Sequence, residues 1–228
     1  MPMLIAFLLT IAAPVENLTP QAFKALAEKK PGIVLDVRTK EEIARGKLKD
    51  ATTIDFRDPR FLQKAALMQK DKAIYVYCAM GGRSSKAAEK LAALGFEHVY
   101  NLDGGITAWA KEGLPVEVPK EPPPPRTDRA MAPEAFDALV QKAPRVLVEF
   151  QTEWCTPCQK MEPVVAALKA QKNFTIVQVD VEQSEALAAR EKVQAVPVFV
   201  LYVGGKERWR KVGEVPQAEL EAAWRTKP

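Results

Sequence analysis

The sequence is poor in the residues that carry most metal and acid–base chemistry. Among 228 residues there are three cysteines and a single histidine, His98. Three thiols cannot form a disulfide framework. A zinc site would need His98 and all three cysteines to converge from three separate places, whereas structural zinc ligands usually come as two close pairs. We therefore expect no metal and no cofactor, and we expect His98 on a surface turn. Cysteine chemistry would then proceed without a dedicated histidine base, unless His98 serves as one.

The sequence also lacks a long apolar run and a strong excess of charge. No run approaches the roughly 18 residues that span a bilayer, so we expect no stable membrane insertion. The net charge of +4 is thinly spread, unlike the concentrated basic stripe of nucleic-acid-binding proteins. It supports a mild attraction for small anions and no nucleic-acid partner. Hydrophobic residues at 47% and charged residues at 27% are close to globular averages, and the length allows one domain or two.

The N-terminal segment has the composition of an export signal. Residues 4–13 (LIAFLLTIAA) have the length of a signal-peptide core and only one polar member, Thr10. The tripeptide at residues 10–12 resembles a small-x-small cleavage site. Residues 1–3 carry no Lys or Arg, and the alternative is a buried first strand in a cytoplasmic protein. We expect residues 1–13 to be a signal peptide and the mature protein to be exported, in a bacterium to the periplasm.

A proline-rich segment divides the chain. Residues 119–126 read PKEPPPPR, and proline lacks the amide donor that helices and central strands need. Such a segment adopts polyproline II and acts as a semi-rigid spacer. Hydrophobic periodicity returns on both sides. We therefore predict one domain at residues 16–118, a linker at residues 119–131 and a second domain at residues 132–228.

Both domains are predicted to be α/β, each with a central sheet flanked by helices. Short connections between alternating strands and helices imply a parallel sheet covered on both faces. In the first domain, strands are predicted at residues 33–37, 73–77 and 99–102, and helices at residues 20–30 and 84–94 and through Trp109. In the second, strands are predicted at residues 146–150, 175–181 and 198–203, the last ending in a Gly204-Gly205 turn. Helices are predicted near residues 133–142, from the CxxC motif to about residue 171, and at residues 185–192 and 216–224.

Cys78 is the first candidate nucleophile. It follows the predicted strand at residues 73–77, and a glycine-containing loop and a helix come after it. The amides of residues 79–83 can point inward, and the helix adds its positive end. Such a site attracts anions and favours thiolate over thiol, so we expect Cys78 to be acidic and nucleophilic. The alternative is a buried structural cysteine at a strand end.

These residues resemble the rhodanese family over about residues 17–118. The similarity rests on LDVR at residues 35–38, YCAMGGRS at residues 77–84, LDGG at residues 102–105, Trp109, and GLP at residues 113–115. It implies a sulfurtransferase whose Cys78 takes sulfur from a small anionic donor as a persulfide. Four residues separate Cys78 from Arg83, which resembles the sulfurtransferases rather than their phosphatase relatives with a longer loop. The implied substrate loop is Ala79, Met80, Gly81, Gly82, Arg83 and Ser84, with Arg83 closing it.

The second candidate site is WCTPC at residues 154–158, which follows a predicted strand and opens a helix. Two cysteines three apart at a helix start can close a small disulfide, and the helix dipole acts on the first. Cys155 is therefore the candidate nucleophile, and Cys158 resolves the mixed disulfide. Glu149 lies inside an apolar strand, where a carboxylate is costly without a partner or a task. It could take and return the proton of Cys158, and the alternative is a half-exposed edge strand.

This half resembles thioredoxin over about residues 132–224. The WCxPC motif, Pro163, AVPV at residues 195–198 and two later glycines occur in the order of that family. The resemblance implies that Pro197 is a cis-proline beside the disulfide and pairs with substrate backbone, and that Glu149 takes the place of a buried aspartate. The implied contact residues are Trp154, Val196 and Pro197. Three positions differ from the family: Gln151 replaces tryptophan, Thr156 replaces glycine and Gln178 replaces lysine.

Together these features predict an enzyme for sulfur transfer and thiol redox chemistry. Cys78 would carry sulfane sulfur, and Cys155 with Cys158 would exchange with disulfide-containing proteins and an external thiol reductant. The same pair could reduce a persulfide on Cys78. Two alternatives stay open. The first domain could only dock partners, or the dithiol could act as an oxidant or isomerase, in the opposite direction.

Export predicts that the mature chain lacks its first residues. N-terminal sequencing of protein recovered from its native host should begin near Ala13 or Pro14, because cleavage is expected close to residue 12. An intact Met1 on protein from the cytosolic fraction would contradict the assignment.

Overall fold

The computed structural model describes residues 14–119, 129–171 and 173–226. The predicted signal peptide and most of the predicted polyproline segment lie outside these ranges. None of the helices within them combines the length and the apolar character needed to cross a membrane.

The first domain is built on a five-stranded sheet with the strand order β1-β5-β4-β2-β3. All neighbouring strands are parallel, as the alternation of strands and helices predicts. Its strands are β1 (Val15–Leu18), β2 (Gly32–Asp36), β3 (Thr52–Thr53), β4 (Ala73–Tyr77) and β5 (Val99–Leu102). Its helices are α1 (Pro20–Lys29), α2 (Lys40–Ile43), α3 (Phe61–Ala66), α4 (Gly82–Ala93) and α5 (Gly105–Lys111).

The longer elements of this domain confirm the sequence predictions. The helix α1 begins at Pro20 because Thr19 caps it, with the Thr19 hydroxyl accepting the Ala22 amide at 3.4 Å. The sequence pattern does not indicate α2 and α3, because four and six residues are too few to display a helical period. His98 is exposed, as expected.

The central strand β4 delivers Cys78 to the carboxyl edge of the sheet. All five residues of β4 are buried. On the neighbouring strand β2, the buried Asp36 forms an ion pair with Arg38 at 2.6 Å. Arg38 also donates to the carbonyl of Gly46 at 2.7 Å. This buried pair holds the loop after β2 in place, since a buried charge is stable only when it is paired and hydrogen-bonded.

The second domain has a four-stranded mixed sheet with the order β7-β6-β8-β9. The strands β6 and β7 are parallel, whereas β8 is antiparallel to both of its neighbours. Its strands are β6 (Arg145–Gln151), β7 (Ile176–Asp180), β8 (Val198–Val203) and β9 (Lys206–Val212). Its helices are α6 (Pro133–Lys142), α7 (Thr156–Lys169), α8 (Glu185–Arg190) and α9 (Gln217–Trp224).

The sequence pattern leaves two features of this sheet open: the edge strand that follows the last predicted turn, and the position of Glu149. The predicted turn at Gly204-Gly205 is confirmed, and it leads into β9, an exposed edge strand whose polar composition conceals it. The strand β6 lies between β7 and β8, so Glu149 is buried in the middle of the sheet and only 1% exposed. The alternative of a half-exposed edge strand for Glu149 is therefore wrong.

Candidate cysteine sites

The loop after β4 wraps around the sulfur of Cys78. The Gly81 amide donates to Sγ at 3.2 Å, and the Ser84 hydroxyl lies 3.4 Å from Sγ and 3.0 Å from the Gly81 carbonyl oxygen, with one hydrogen for the two acceptors. Gly81 has a φ of +96°, a conformation that suits glycine, and this turns the chain into α4. The loop thus directs several polar hydrogens at one sulfur atom.

These donors stabilise the thiolate of Cys78. Burial by itself raises the pKa of the thiol. Hydrogen bonds from the Ser84 side chain and from the amides of Ser84, Met80 and Gly81 outweigh burial and lower the pKa from its ordinary value of 9.0. The shift has the direction that the sequence indicates, and it increases the nucleophilic fraction near neutral pH.

One side of the loop is open and the other is fixed by α5. Met80 is 75% exposed, Gly82 is exposed and Ala79 is half-buried. Beneath them, a Cβ at Gly105 would lie 2.4 Å from the carbonyl oxygen of Cys78, so glycine is required there. Cys78 itself is 2% exposed, and the exposed part of its loop lies at Met80 and Gly82.

Arg83 anchors the loop from outside. Its guanidinium donates to both carboxylate oxygens of Glu42, at 2.7 and 2.5 Å. This hydrogen bonding holds the pKa of Glu42 at about 2, despite partial burial. Glu42 also completes a capping box with Thr39 on α2. Sequence reasoning missed Glu42, although the TxxE spacing at residues 39–42 was its signal.

Cys155 and Cys158 form a disulfide at the start of α7. Cys155 is the N-cap residue, and the Cys158 amide donates to its Sγ at 3.1 Å. Both residues are 2% exposed. The disulfide groove, which we define as Trp154, Cys155, Pro157 and Val196, lies along one side of Cys155.

The residues expected to contact a substrate lie around this disulfide. Val196 lines the same small cavity as Cys155 and precedes Pro197 across a cis peptide bond. The indole of Trp154 donates to Glu182 at 2.8 Å. The fold therefore brings together side chains that are more than forty residues apart in sequence, as the resemblance implies.

Glu149 has one hydrogen-bond partner and one unsatisfied oxygen. The Gln178 side chain on β7 donates to Oε2 of Glu149 at 2.8 Å, while Oε1 is buried without a partner among the described residues. Burial raises the pKa of Glu149 to about 7, against the hydrogen bond from Gln178, which lowers it. A carboxyl group with this pKa can accept and release a proton near neutral pH.

Gln178 stands between Glu149 and the nearest positive charges. Its side-chain oxygen accepts from Arg129 at 3.1 Å and from Lys169 at 2.8 Å. Arg129, which the sequence places in the linker, is 7% exposed and pairs with Glu162 at 2.8 Å. Glu149 is therefore hydrogen-bonded to the neutral amide of Gln178 and not directly to a cation. This is consistent with the raised pKa of Glu149.

The first domain covers the disulfide groove. The Val196 amide donates to the carbonyl of Leu67 at 2.9 Å, and the Thr156 hydroxyl donates to the carbonyl of Ala51 at 3.2 Å. A larger cavity of about 310 Å³ between the domains is lined by neither Cys78 nor Cys155. Neither this cavity nor the one beside Cys155 is lined by residues 78–84.

The described residues contain no group of three or more histidine, cysteine, aspartate or glutamate side chains placed to hold a metal ion. The candidate chemistry rests instead on the three thiols and on Glu149.

Comparison with known proteins divides the chain in the same way. Residues 19–112 match the family model of the rhodanese-like domain, and residues 129–226 match that of thioredoxin. A sulfurtransferase of Allochromatium vinosum is 37% identical over 97 residues, which cover 42% of this chain and 87% of that protein. Thioredoxin 1 of Chlorobaculum tepidum is 35% identical over 77 residues, which cover 33% of this chain and 76% of that protein. A crystal structure of a rhodanese-related protein from Thermoplasma volcanium is 30% identical, covers 46% of this chain and 99% of its own, and has a TM-score of 0.41.

The raised pKa of Glu149 predicts a pH-dependent stability. Between its ordinary value of 4.5 and about 7, the folded state keeps the proton that the unfolded state releases, so stability falls as the pH rises through this window. Glu149→Gln stays neutral and escapes this loss. Relative to the unaltered protein, it should gain about 3 kcal/mol on going from pH 4 to pH 8.

Urea unfolding at pH 4, 6 and 8 measures this gain. Glu134→Gln, at an exposed position of α6, is the matched control and should follow the unaltered protein. Parallel pH profiles for Glu149→Gln and the unaltered protein would show that Glu149 does not titrate in this window.

Proposed function

The chain belongs to the rhodanese-like family over residues 19–112 and to the thioredoxin family over residues 129–226, and on this premise we propose that it carries sulfur on Cys78 and exchanges disulfides at Cys155 and Cys158. Sulfur transfer and thiol redox chemistry follow in general terms from the two families. The particular steps below are our proposal.

The observation that supports sulfur transfer is the set of hydrogen-bond donors around the Cys78 sulfur. The thiolate attacks the outer sulfur of thiosulfate, the sulfur–sulfur bond of the donor breaks, and sulfite leaves with the electron pair. The product is a persulfide on Cys78, whose terminal sulfur is anionic and needs the same kind of donors. We assign this role to the same loop, in which the Gly81 amide and the Ser84 hydroxyl face Sγ. A polysulfide would react in the same way, with a shorter polysulfide as the leaving group.

The second activity uses the pair at the start of α7. In the reduced form, the Cys155 thiolate attacks a disulfide of a partner protein, and one partner thiolate leaves. Cys158 then attacks the mixed disulfide, which releases the second partner thiol and forms the Cys155–Cys158 disulfide. Glu149 accepts the proton of Cys158 in this step. An external thiol restores the dithiol, and the reverse sequence would make the protein an oxidant.

We further propose that the dithiol can discharge the persulfide on Cys78. The Cys155 thiolate attacks the terminal sulfur of the persulfide, the bond to the Cys78 sulfur breaks, and the Cys78 thiolate leaves. Cys158 then loses its proton, attacks Sγ of Cys155 and expels hydrosulfide as the disulfide forms. Arg129 is bonded to the second domain, so the connection runs from residue 119 to residue 129, and ten residues of polyproline II would reach at most roughly 31 Å. With the first domain against the disulfide groove, the cavity beside Cys155 is lined by no residue of the Cys78 loop, so this transfer requires the domains to separate.

Two further points belong to this proposal. The export of the mature chain rests on the composition of residues 4–13. The alternative for the first domain, a docking module without its own chemistry, is favoured by its contact with Val196. The fate of sulfur on Cys78 distinguishes the docking module from a sulfurtransferase.

Persulfide formation is tested on the full chain. After incubation with thiosulfate or a polysulfide, mass spectrometry should find one added sulfur atom on the peptide that contains Cys78, because this cysteine is outside the Cys155–Cys158 disulfide and its loop stabilises the thiolate. Cyanide should then remove the sulfur as thiocyanate. The double variant Cys155→Ser/Cys158→Ser should keep the adduct, and Cys78→Ser should lose it. Hydrolysis of phosphate esters in place of an adduct would contradict the proposal.

Disulfide exchange is tested by reduction of insulin in the presence of dithiothreitol. Cys155→Ser should lose the catalysed rate because it removes the attacking sulfur, whereas Cys158→Ser should accumulate a mixed disulfide with the substrate. Non-reducing electrophoresis detects that species. Full turnover by Cys155→Ser would overturn the assignment of the nucleophile.

A further inference from the structure

The disulfide groove is already occupied by a segment of the same chain. The Val196 amide, which borders Cys155, donates to the backbone carbonyl of Leu67 at 2.9 Å. Leu67 caps the C-terminal end of α3 in the first domain. An interaction that uses backbone atoms in this way pairs one chain segment with another and does not depend on the side chain at either position.

The side chains of this segment pack toward the second domain. Leu67 contacts the core of the second domain, whereas its neighbour Met68 is buried in the core of its own domain. The side chain of Gln69 lies so close to Gly213 that a Cβ there would approach its Oε1 to 3.0 Å. Residues 67–69 therefore fit the second domain on both sides of the groove.

Polar contacts surround this segment. The Thr156 hydroxyl donates to the carbonyl of Ala51 at 3.2 Å, and Lys160 pairs with Asp50 at 3.0 Å. Thr156 stands where the thioredoxin family usually has glycine, so a departure from the family pattern has a partner in the other domain. On the opposite side of the groove, Glu182 lies 3.5 Å from both Arg60 and Lys64.

Cys155 is closed off as a result. The cavity beside it measures about 10 Å³ and is lined by Ile33, Thr52, Leu67 and Met68 of the first domain as well as by the groove. This volume holds about one water molecule. A partner disulfide cannot reach Cys155 while the first domain occupies this position.

The contact is also unsuited to sulfur transfer between the two sites. Ile33 pairs with Ile74 near the start of β4, whereas Cys78 follows the end of that strand. Four residues of strand correspond to roughly 13 Å. Thr52, which lines the same cavity, is level with Val76, and no residue of the Cys78 loop lines it.

We propose that residues 67–69 of the first domain are an internal occupant of the disulfide groove, and that any partner which exchanges with Cys155 has to displace them. The covalent tether favours this occupant, because both partners share one chain and the effective concentration is high. An external competitor would be an extended segment whose backbone carbonyl accepts from the Val196 amide.

The test measures how fast Cys155–Cys158 is reduced by a chemical reagent in the full chain. Tris(2-carboxyethyl)phosphine reduces the disulfide to two thiols and becomes the phosphine oxide, and it requires no catalytic activity from the protein. The thiols are trapped with N-ethylmaleimide and counted by mass spectrometry on the peptide that contains them. The result is therefore independent of whether the proposed function is correct.

The informative variant is Leu67→Asp, which places a carboxylate against the core of the second domain. Leu62→Asp is the matched control, since Leu62 lies on the same helix α3 and is 40% exposed. A groove that is occupied nine-tenths of the time reacts at about a tenth of its open rate. Leu67→Asp should therefore accelerate the reduction by about tenfold, while Leu62→Asp follows the unaltered protein.

A second measurement uses the unaltered protein and needs no variant. The acceptor of the Val196 amide is the Leu67 carbonyl, so this amide should exchange with solvent about tenfold or more slowly than an unprotected one. Circular dichroism tests whether Leu67→Asp is folded. If the variant does not fold, the exchange rate of the Val196 amide in the unaltered protein decides between the outcomes. Equal reduction rates for folded Leu67→Asp and the unaltered protein, or an unprotected Val196 amide, would overturn the proposal.

Discussion

Both cysteine sites depend on the same constraint, which is that a sulfur atom at the end of a buried central strand must be hydrogen-bonded by the turn that follows. Cys78 follows β4 and Cys155 follows β6 after a short turn, and each precedes a long helix. The amides of those turns cannot all be satisfied within the helix. They point toward the sulfur instead, as the Gly81 and Cys158 amides do. The rest of each site is arranged around this local geometry.

The two sites differ in where their charged side chains lie relative to the reactive group. Around Cys78, neutral donors contact the sulfur, while the cation of Arg83 is committed to Glu42. The exposed side of the loop is formed by Met80 and Gly82. In the second domain the charged group is the carboxyl of Glu149, and the Gln178 amide keeps the nearest cations one hydrogen bond away. Burial therefore dominates its pKa, which suits proton transfer near neutral pH.

The contact between the two domains covers the disulfide groove. Val196 and Thr156, two residues beside the disulfide, find their hydrogen-bond acceptors in the first domain. With the first domain in this position, the cavity beside Cys155 measures about 10 Å³.

The sequence by itself determined the division into two α/β domains, the main strands and helices, and the three cysteines of the two candidate sites. These features are encoded locally, in apolar periodicity, in the Thr19 cap and in the spacing of the motifs around Cys78 and Cys155. The pairing of Arg83 with Glu42, of Glu149 with Gln178, and of Val196 with Leu67 was decided only by the tertiary structure. Each pair joins residues that are distant in sequence. Hydrophobic periodicity does not indicate which carbonyl or carboxylate a donor contacts after the sheets and the two domains have packed.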